Sequence, residues 1–183
     1  MGEDSELLDE LDENGQFLGH TVKRGDAHKN GNWHRAVVLY LVSSKNQVLL
    51  QRRSLKKKKW PGYWDLTSGG HVDAGELGLG SAIRELEEEL GISVEVKDVR
   101  YIAGRRTQTE KFGMVDKHHN EYYVAFKDVD VKDIKLNKDE VEEAKWFDLS
   151  EFKKMVKAKD EKLTAKWAAY EFLLKYIDTY GKN

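Results

Sequence analysis

The longest apolar stretch of the chain covers residues 35–42, where Ala36, Val37, Val38, Leu39, Tyr40 and Leu41 follow one another without a polar interruption. Its length and β-branching predict a fully buried strand. Lys45-Asn46 turns the chain, and residues 47–53 predict a partner strand. The period then changes. Leu79, Ile83, Leu86 and Leu90 recur at helical spacing without proline, predicting an amphipathic helix from Gly80 or Ser81 to Leu90, with Ser81 near its N-cap and Gly91 as a left-handed C-cap. Residues 94–104, 120–126 and 143–148 predict further strands, and Ser150 predicts the cap of a short helix through Val156. Leu163, Trp167, Tyr170, Leu174 and Ile177 form one stripe of a last helix over residues 163–180. Near the start, Leu7, Leu8 and Leu11, a turn at Asn14-Gly15, then Phe17, Leu18 and Val22 predict a hairpin over residues 6–22.

The connections are polar. Residues 24–33 read as a linking segment carrying His28, residues 65–72 as a short strand and a loop, and residues 105–119 as a mobile loop. In Trp60-Pro61-Gly62-Tyr63-Trp64, Trp64 is expected in the core, while Trp60 fits either the core or an aromatic wall for a ring. Strands interleaved with helices predict layers of helix, mixed sheet and helix, an α/β/α sandwich of the α/β (α+β) class with an N-terminal hairpin and an extra C-terminal helix.

At 183 residues the chain is expected to be a single domain, 1–183, large enough for a real core. A net charge of −2 argues against a general nucleic-acid binder, which needs a basic excess to contact phosphates. No apolar run approaches the roughly 20 residues that cross a bilayer, and the start MGEDSELLDE is acidic where a leader would be basic then apolar, so the cytoplasm is the expected compartment. With no cysteine, disulfides, thiolate metal sites and thiol nucleophiles are excluded.

The chemistry concentrates on the predicted helix. Glu85, Glu88 and Glu89 stand at i, i+3 and i+4 and share one face, with Glu87 nearby. Like charges so placed repel; a hard divalent cation would convert the repulsion into ligation. Arg52, Arg53 and Lys56 to Lys59 form a second concentration of charge. It reads as a solvated loop or as a phosphate site, in which Arg52 or Arg53 would supply forked hydrogen bonds.

The spacing around the acids resembles the signature of the Nudix hydrolases, G-x5-E-x7-R-E-U-x-E-E-x-G-U with U apolar, at Gly70, Glu76, Arg84, Glu85, Leu86, Glu88, Glu89, Gly91 and Ile92. Seven fixed residue types make a chance match about one in 10⁸ per start point. The resemblance spans residues 33–157, leaving residues 1–25 and 162–181 as elaborations. It implies that Glu85, Glu88 and Glu89 are metal ligands with the Gly70 carbonyl beside them, that Glu76 and Arg84 form a supporting ion pair, and that Glu121 is a fourth acidic group facing the metals. Mg²⁺, with Mn²⁺ as a substitute, would neutralise a small-molecule diphosphate and activate water, with Glu85 or Glu121 as the base. KKKWPGYWDLTSGGHVDAGE, with His28 and His34, is similar to the isopentenyl-diphosphate isomerase branch. There a cysteine matches Gly69, and histidines matching His28, His34 and His71 hold a metal together with acids near Glu121. The missing thiol and the full hydrolase signature imply an isomerase-like hydrolase of a nucleoside diphosphate-linked compound, with isopentenyl-diphosphate isomerisation as the alternative and a diphosphate-binding regulator as a third reading.

Overall fold

The computed structural model of the protein describes residues 3–111 and 113–181. Met1, Gly2, Phe112, Lys182 and Asn183, which fall within the expected domain and loop ranges, lie outside the described residues.

The apolar run forms β3 (His34–Val42), the strand around which a seven-stranded mixed sheet is built. Along one edge it pairs in parallel with β8 (Met114–Phe126), from His34 opposite His118 to Val42 opposite Phe126. Its other edge forks: residues 36–39 pair antiparallel with β6 (Ser68–His71), while Val42 pairs with Val48 of β4 (Gln47–Arg53). Thr67 fills the fork, its hydroxyl accepting from the Leu41 N–H at 2.9 Å and donating to the Leu49 carbonyl at 2.5 Å. Outside β4 lie β9 (Val141–Asp148) and β5 (Trp64–Asp65), and outside β8 lies β7 (Val99–Lys111).

Alternation along β3 divides the core. Val37, Leu39 and Leu41 pack against Ala82, Leu86 and Leu90 of α2 (Gly78–Leu90), and Val38, Tyr40 and Val42 pack with Phe152 of α3 (Leu149–Ala158) and Tyr170 and Leu173 of α4 (Trp167–Tyr180). Fully burying a leucine such as Leu86 contributes about 2 kcal/mol, so the stripe read from the sequence holds α2 on its face. Helices on both faces of a mixed sheet give the expected sandwich. The N-terminal hairpin, β1 (Leu7–Leu11) and β2 (Phe17–Lys23), lies beside the 72–76 loop, where the Ala74 N–H donates to the Leu7 carbonyl at 2.8 Å.

Several expectations are corrected. Residues 24–33 contain α1 (Arg24–Asn30), seven residues ended by Gly31 at φ 71° and too short to show a period. The expected mobile loop at 105–119 is instead the body of an antiparallel β7–β8 hairpin, paired out to Lys111 opposite Met114. Much of β7 faces solvent, so it carries no apolar alternation. α2 begins at Gly78, because the Ser81 hydroxyl donates to Glu76 at 2.5 Å instead of capping the helix. Ser150 lies inside the first turn of α3, with Asp148 at the N-cap position. α4 starts at Trp167, four residues after Leu163, because the Thr164 N–H donates to the Trp64 carbonyl at 2.9 Å and holds residues 162–164 extended against β5.

Candidate functional site

α2 presents Glu85 and Glu89, one turn apart, towards β6. A Cβ at Gly70 would collide with the Glu85 carboxylate, so the missing side chain lets the acid lie on the strand. The Glu85 side chain is 16% exposed; burial first, opposed by Arg84 and reinforced by the charge of Glu88, pushes its carboxyl up to about 7. Glu89 is buried, and burial followed by the neighbouring charge of Glu85 raises it well above the usual carboxylate range. Its Oε2 accepts from Gln51 Nε2 at 3.1 Å and from the Gly69 N–H at 3.3 Å. Glu88 is exposed and pairs with Arg84 at 3.2 Å.

Arg84 ties the cluster together. Its Nη1 donates to Glu85 and Glu88 at 3.2 Å each, and its Nη2 to Glu76 and to the His71 carbonyl at 3.3 Å each. Glu121 comes from across the sheet: Val37 stands opposite Gly70 on one side and Glu121 on the other, which puts both on the face of α2. Its carboxylate accepts from the Tyr123 hydroxyl and lies against Gly78, where a Cβ would collide with it.

Arg52 and Arg53 are not drawn into this cluster. Arg52 donates to Glu143 at 3.1 Å; Arg53 donates to the Lys59 carbonyl at 2.9 Å and reaches the buried Asp65 at 3.4 Å. Gln51 is the β4 residue that meets Glu89. Sequence reasoning also missed Arg35, whose Nη2 donates to Asp9 of the hairpin at 3.1 Å and to the Glu76 carbonyl at 2.9 Å. As the residue two before Val37 in β3, it shares the face of Glu121, and an alternation count could have found it. Trp64 packs edge-on to Phe147 at a centroid distance of 4.9 Å, and Trp60 packs on Tyr63 at 5.1 Å.

A second cluster occupies the other face of the sheet. His34 and His118 are cross-strand neighbours, His71 stands beside Ala36 on that same face, and α1 brings His28 over them. The four rings supply nitrogen atoms that all lie within 4.8 Å of one another. His28 Nε2 and His71 Nε2 are 3.2 Å apart. Burial holds every one of the four below the ordinary histidine value, His34 at about 4, so all are neutral at pH 7. His118, in the segment expected as a loop, is the member that the sequence did not offer.

The NUDIX domain profile matches residues 32–167. Over 160 residues the chain is 32% identical to Nudix hydrolase 3 of Arabidopsis thaliana, covering 85% of this chain and 21% of that longer protein. It is 33% identical over 142 residues to a Nudix hydrolase of Listeria monocytogenes, covering 77% and 79%, and 32% identical over 155 residues to an isopentenyl-diphosphate Delta-isomerase of Aromatoleum aromaticum, covering 85% and 77%. Among solved structures, a Deinococcus radiodurans protein superposes with a TM-score of 0.66 at 22% identity, covering 92% and 98%, and a MutT protein of Methanosarcina mazei with 0.60 at 22% identity, covering 80% and 96%. The chain belongs to the Nudix hydrolase family, enzymes that act on nucleoside diphosphate derivatives and generally use divalent metal ions. Within it, the chain stands on the isomerase-like branch. No helix among the described residues is long and apolar enough to cross a membrane.

Proposed function

We propose that this protein is a Mg²⁺-dependent hydrolase that cleaves a phosphoanhydride bond in a nucleoside diphosphate-linked small molecule. One observation carries the reading: half-buried Glu85 lies one helical turn from buried Glu89, close enough for its charge to disturb Glu89, under a glycine that leaves room for the Glu85 carboxylate. Carboxylates crowded together out of water are costly in an empty site and become ligands in a loaded one. This donor set, all oxygen and largely anionic, fits Mg²⁺.

Glu85, Glu88 and Glu89, with the Gly70 carbonyl, would hold the ion, and Arg84 would exchange its contacts with Glu85 and Glu88 for Glu76 alone. When bound, the ion neutralises diphosphate charge and lowers the pKa of water. Glu121 is then the carboxylate left free, on the same face and oriented by Tyr123, and it takes the proton of the attacking water. Arg35 lies on that face as a cation for the outer phosphate. The bond from phosphorus to the bridging oxygen breaks as water adds, giving two phosphate-terminated products.

The alternative, isopentenyl-diphosphate isomerisation, draws on the isomerase relatives. Against it stands Gly69, where a Cβ would lie 2.8 Å from the Val37 carbonyl, so the backbone leaves no space for a thiol-bearing side chain. The test is a screen of nucleotide di- and triphosphates, sugar nucleotides, dinucleotides and prenyl diphosphates with Mg²⁺, scored for monophosphate or phosphate. Turnover of a nucleoside diphosphate-linked compound, reduced on the order of 10³-fold or more in Glu89→Gln, is expected. Full turnover by that variant, or double-bond migration in isopentenyl diphosphate without phosphate release, contradicts the proposal.

A further inference from the structure

We infer that Gln51 is a positioning residue of the carboxylate centre: it fixes the Glu89 carboxylate by one oxygen and so leaves the other turned to a divalent ion. The inference rests on the reading that Glu85, Glu88 and Glu89 hold that ion, and it adds a residue from outside their helix.

Gln51 stands where an apolar residue is the natural occupant. Val48, Leu49 and Leu50, just before it in β4, are fully buried, and Leu49 packs on the α2 side of the sheet. Two residues on, Gln51 shares that face. It is 4% exposed, and its strand is held on both edges there, Gln51 standing opposite Asp65 of β5 and Ala144 of β9. A leucine or methionine would fill this place without the cost of taking an amide out of water.

The hydrogen bonds show what the amide does instead. β4 and β6 part at the fork that Thr67 fills, and each arm sends one donor to Glu89. Gln51 Nε2 of β4 donates at 3.1 Å and the Gly69 N–H of β6 at 3.3 Å, both to Oε2. Two donors from two strands set the orientation of the carboxylate and occupy Oε2, which leaves the lone pairs of Oε1 for the ion. Gln51 Oε1, meanwhile, is buried with no partner among the described residues. A glutamine kept for stability has both ends of its amide satisfied. This one directs its N–H to the carboxylate and leaves its own carbonyl unpaired.

The neutrality of the donor matters as well. Arg84 grips Glu85 and Glu88 as a cation, and its charge competes with that of an ion. Gln51 and the Gly69 N–H steer Glu89 without cancelling its charge, so their bonds persist when the ion is bound.

The test is Mn²⁺ binding to the full-length protein, followed by electron paramagnetic resonance titration, beside thermal unfolding in EDTA. Gln51→Met keeps the length of the side chain and removes the amide. It should weaken Mn²⁺ binding at least about 10-fold without lowering the metal-free melting temperature, because the unpaired carbonyl goes with the lost donor. A merely structural glutamine would give the reverse, a lower melting temperature at unchanged affinity. Gln51→Asn, its amide withdrawn from Glu89 by one methylene, should bind as weakly and supplies the answer if Gln51→Met does not fold. Wild-type affinity in either folded variant, while Glu89→Gln binds Mn²⁺ poorly, overturns the inference and leaves the carboxylate centre standing. Failure of both variants to fold also overturns it, since the glutamine would then serve the fold. Glu89→Gln binding Mn²⁺ as tightly as the wild type removes the centre, and the inference with it.

Discussion

Replacing Glu85 by Gln should stabilise the metal-free protein while removing its response to Mg²⁺. In the fold, burial lifts the Glu85 carboxyl from 4.5 to about 7, so ionising it in place costs about 3 kcal/mol more than in the unfolded chain. Because the folded value is raised, the native state holds the extra proton. Its stabilising contribution is complete below pH 4.5 and is lost as pH rises through 7. Glutamine removes the ionisation, and because the value of about 7 already includes the attraction of Arg84, the net gain at pH 8 is about 3 kcal/mol. For a domain of this size that corresponds to about 6–12 °C. The assay is thermal unfolding in EDTA at pH 5 and pH 8, repeated with Mg²⁺. The variant should match the wild type near pH 5 and melt higher at pH 8. Mg²⁺ at 100 times its Kd adds about 3 kcal/mol to the wild type by mass action, and the variant should lose that increment. A variant less stable than the wild type at pH 8 in EDTA would show that Glu85 does not carry the proposed electrostatic strain.

Gly70→Ala should fold and yet lose most of its Mg²⁺-dependent turnover, because the new methyl collides with the Glu85 carboxylate; unchanged kcat/KM would refute the packing argument. Glu121→Gln, as the proposed base, should lower kcat by about 10²–10⁴-fold while leaving Mg²⁺ affinity nearly intact, measured by titration calorimetry; a loss of Mg²⁺ binding instead would reassign it as a ligand. Asp65 sits in the core, where burial alone would raise its carboxyl, but Lys166 at 2.8 Å and Arg53 hold it below its ordinary value. Asp65→Asn should therefore cost about 3 kcal/mol in urea unfolding at pH 7, a contribution that is present above pH 3.8 and lost as pH falls through the folded value. A cost under about 1 kcal/mol would make that network dispensable.

The sequence was legible where one physical signal dominated. β3, β4 and α2 followed from uninterrupted apolar character or a clean helical stripe, and the Glu85, Glu88 and Glu89 face followed from spacing along one helix. What stayed hidden depended on tertiary partners. The outer half of β7, residues 105–111, faces solvent over much of its length and pairs with the half-buried outer half of β8, so no alternation marked that hairpin as strands, and His118 was lost with it. Charge alone singled out Arg52 and Arg53, yet only the fold shows their guanidiniums directed to Glu143 and Asp65 while Gln51 meets Glu89. The four histidines come from α1, β3, β6 and β8, a convergence that no local pattern records.

The most direct test of the central claim is anomalous diffraction from crystals soaked in Mn²⁺. The account predicts a peak in direct contact with the carboxylates of Glu85 and Glu89 beside the Gly70 carbonyl, with Arg84 withdrawn from Glu85. A well-ordered map in which those carboxylates keep their Arg84 and Gln51 contacts and no ion lies between them would contradict it.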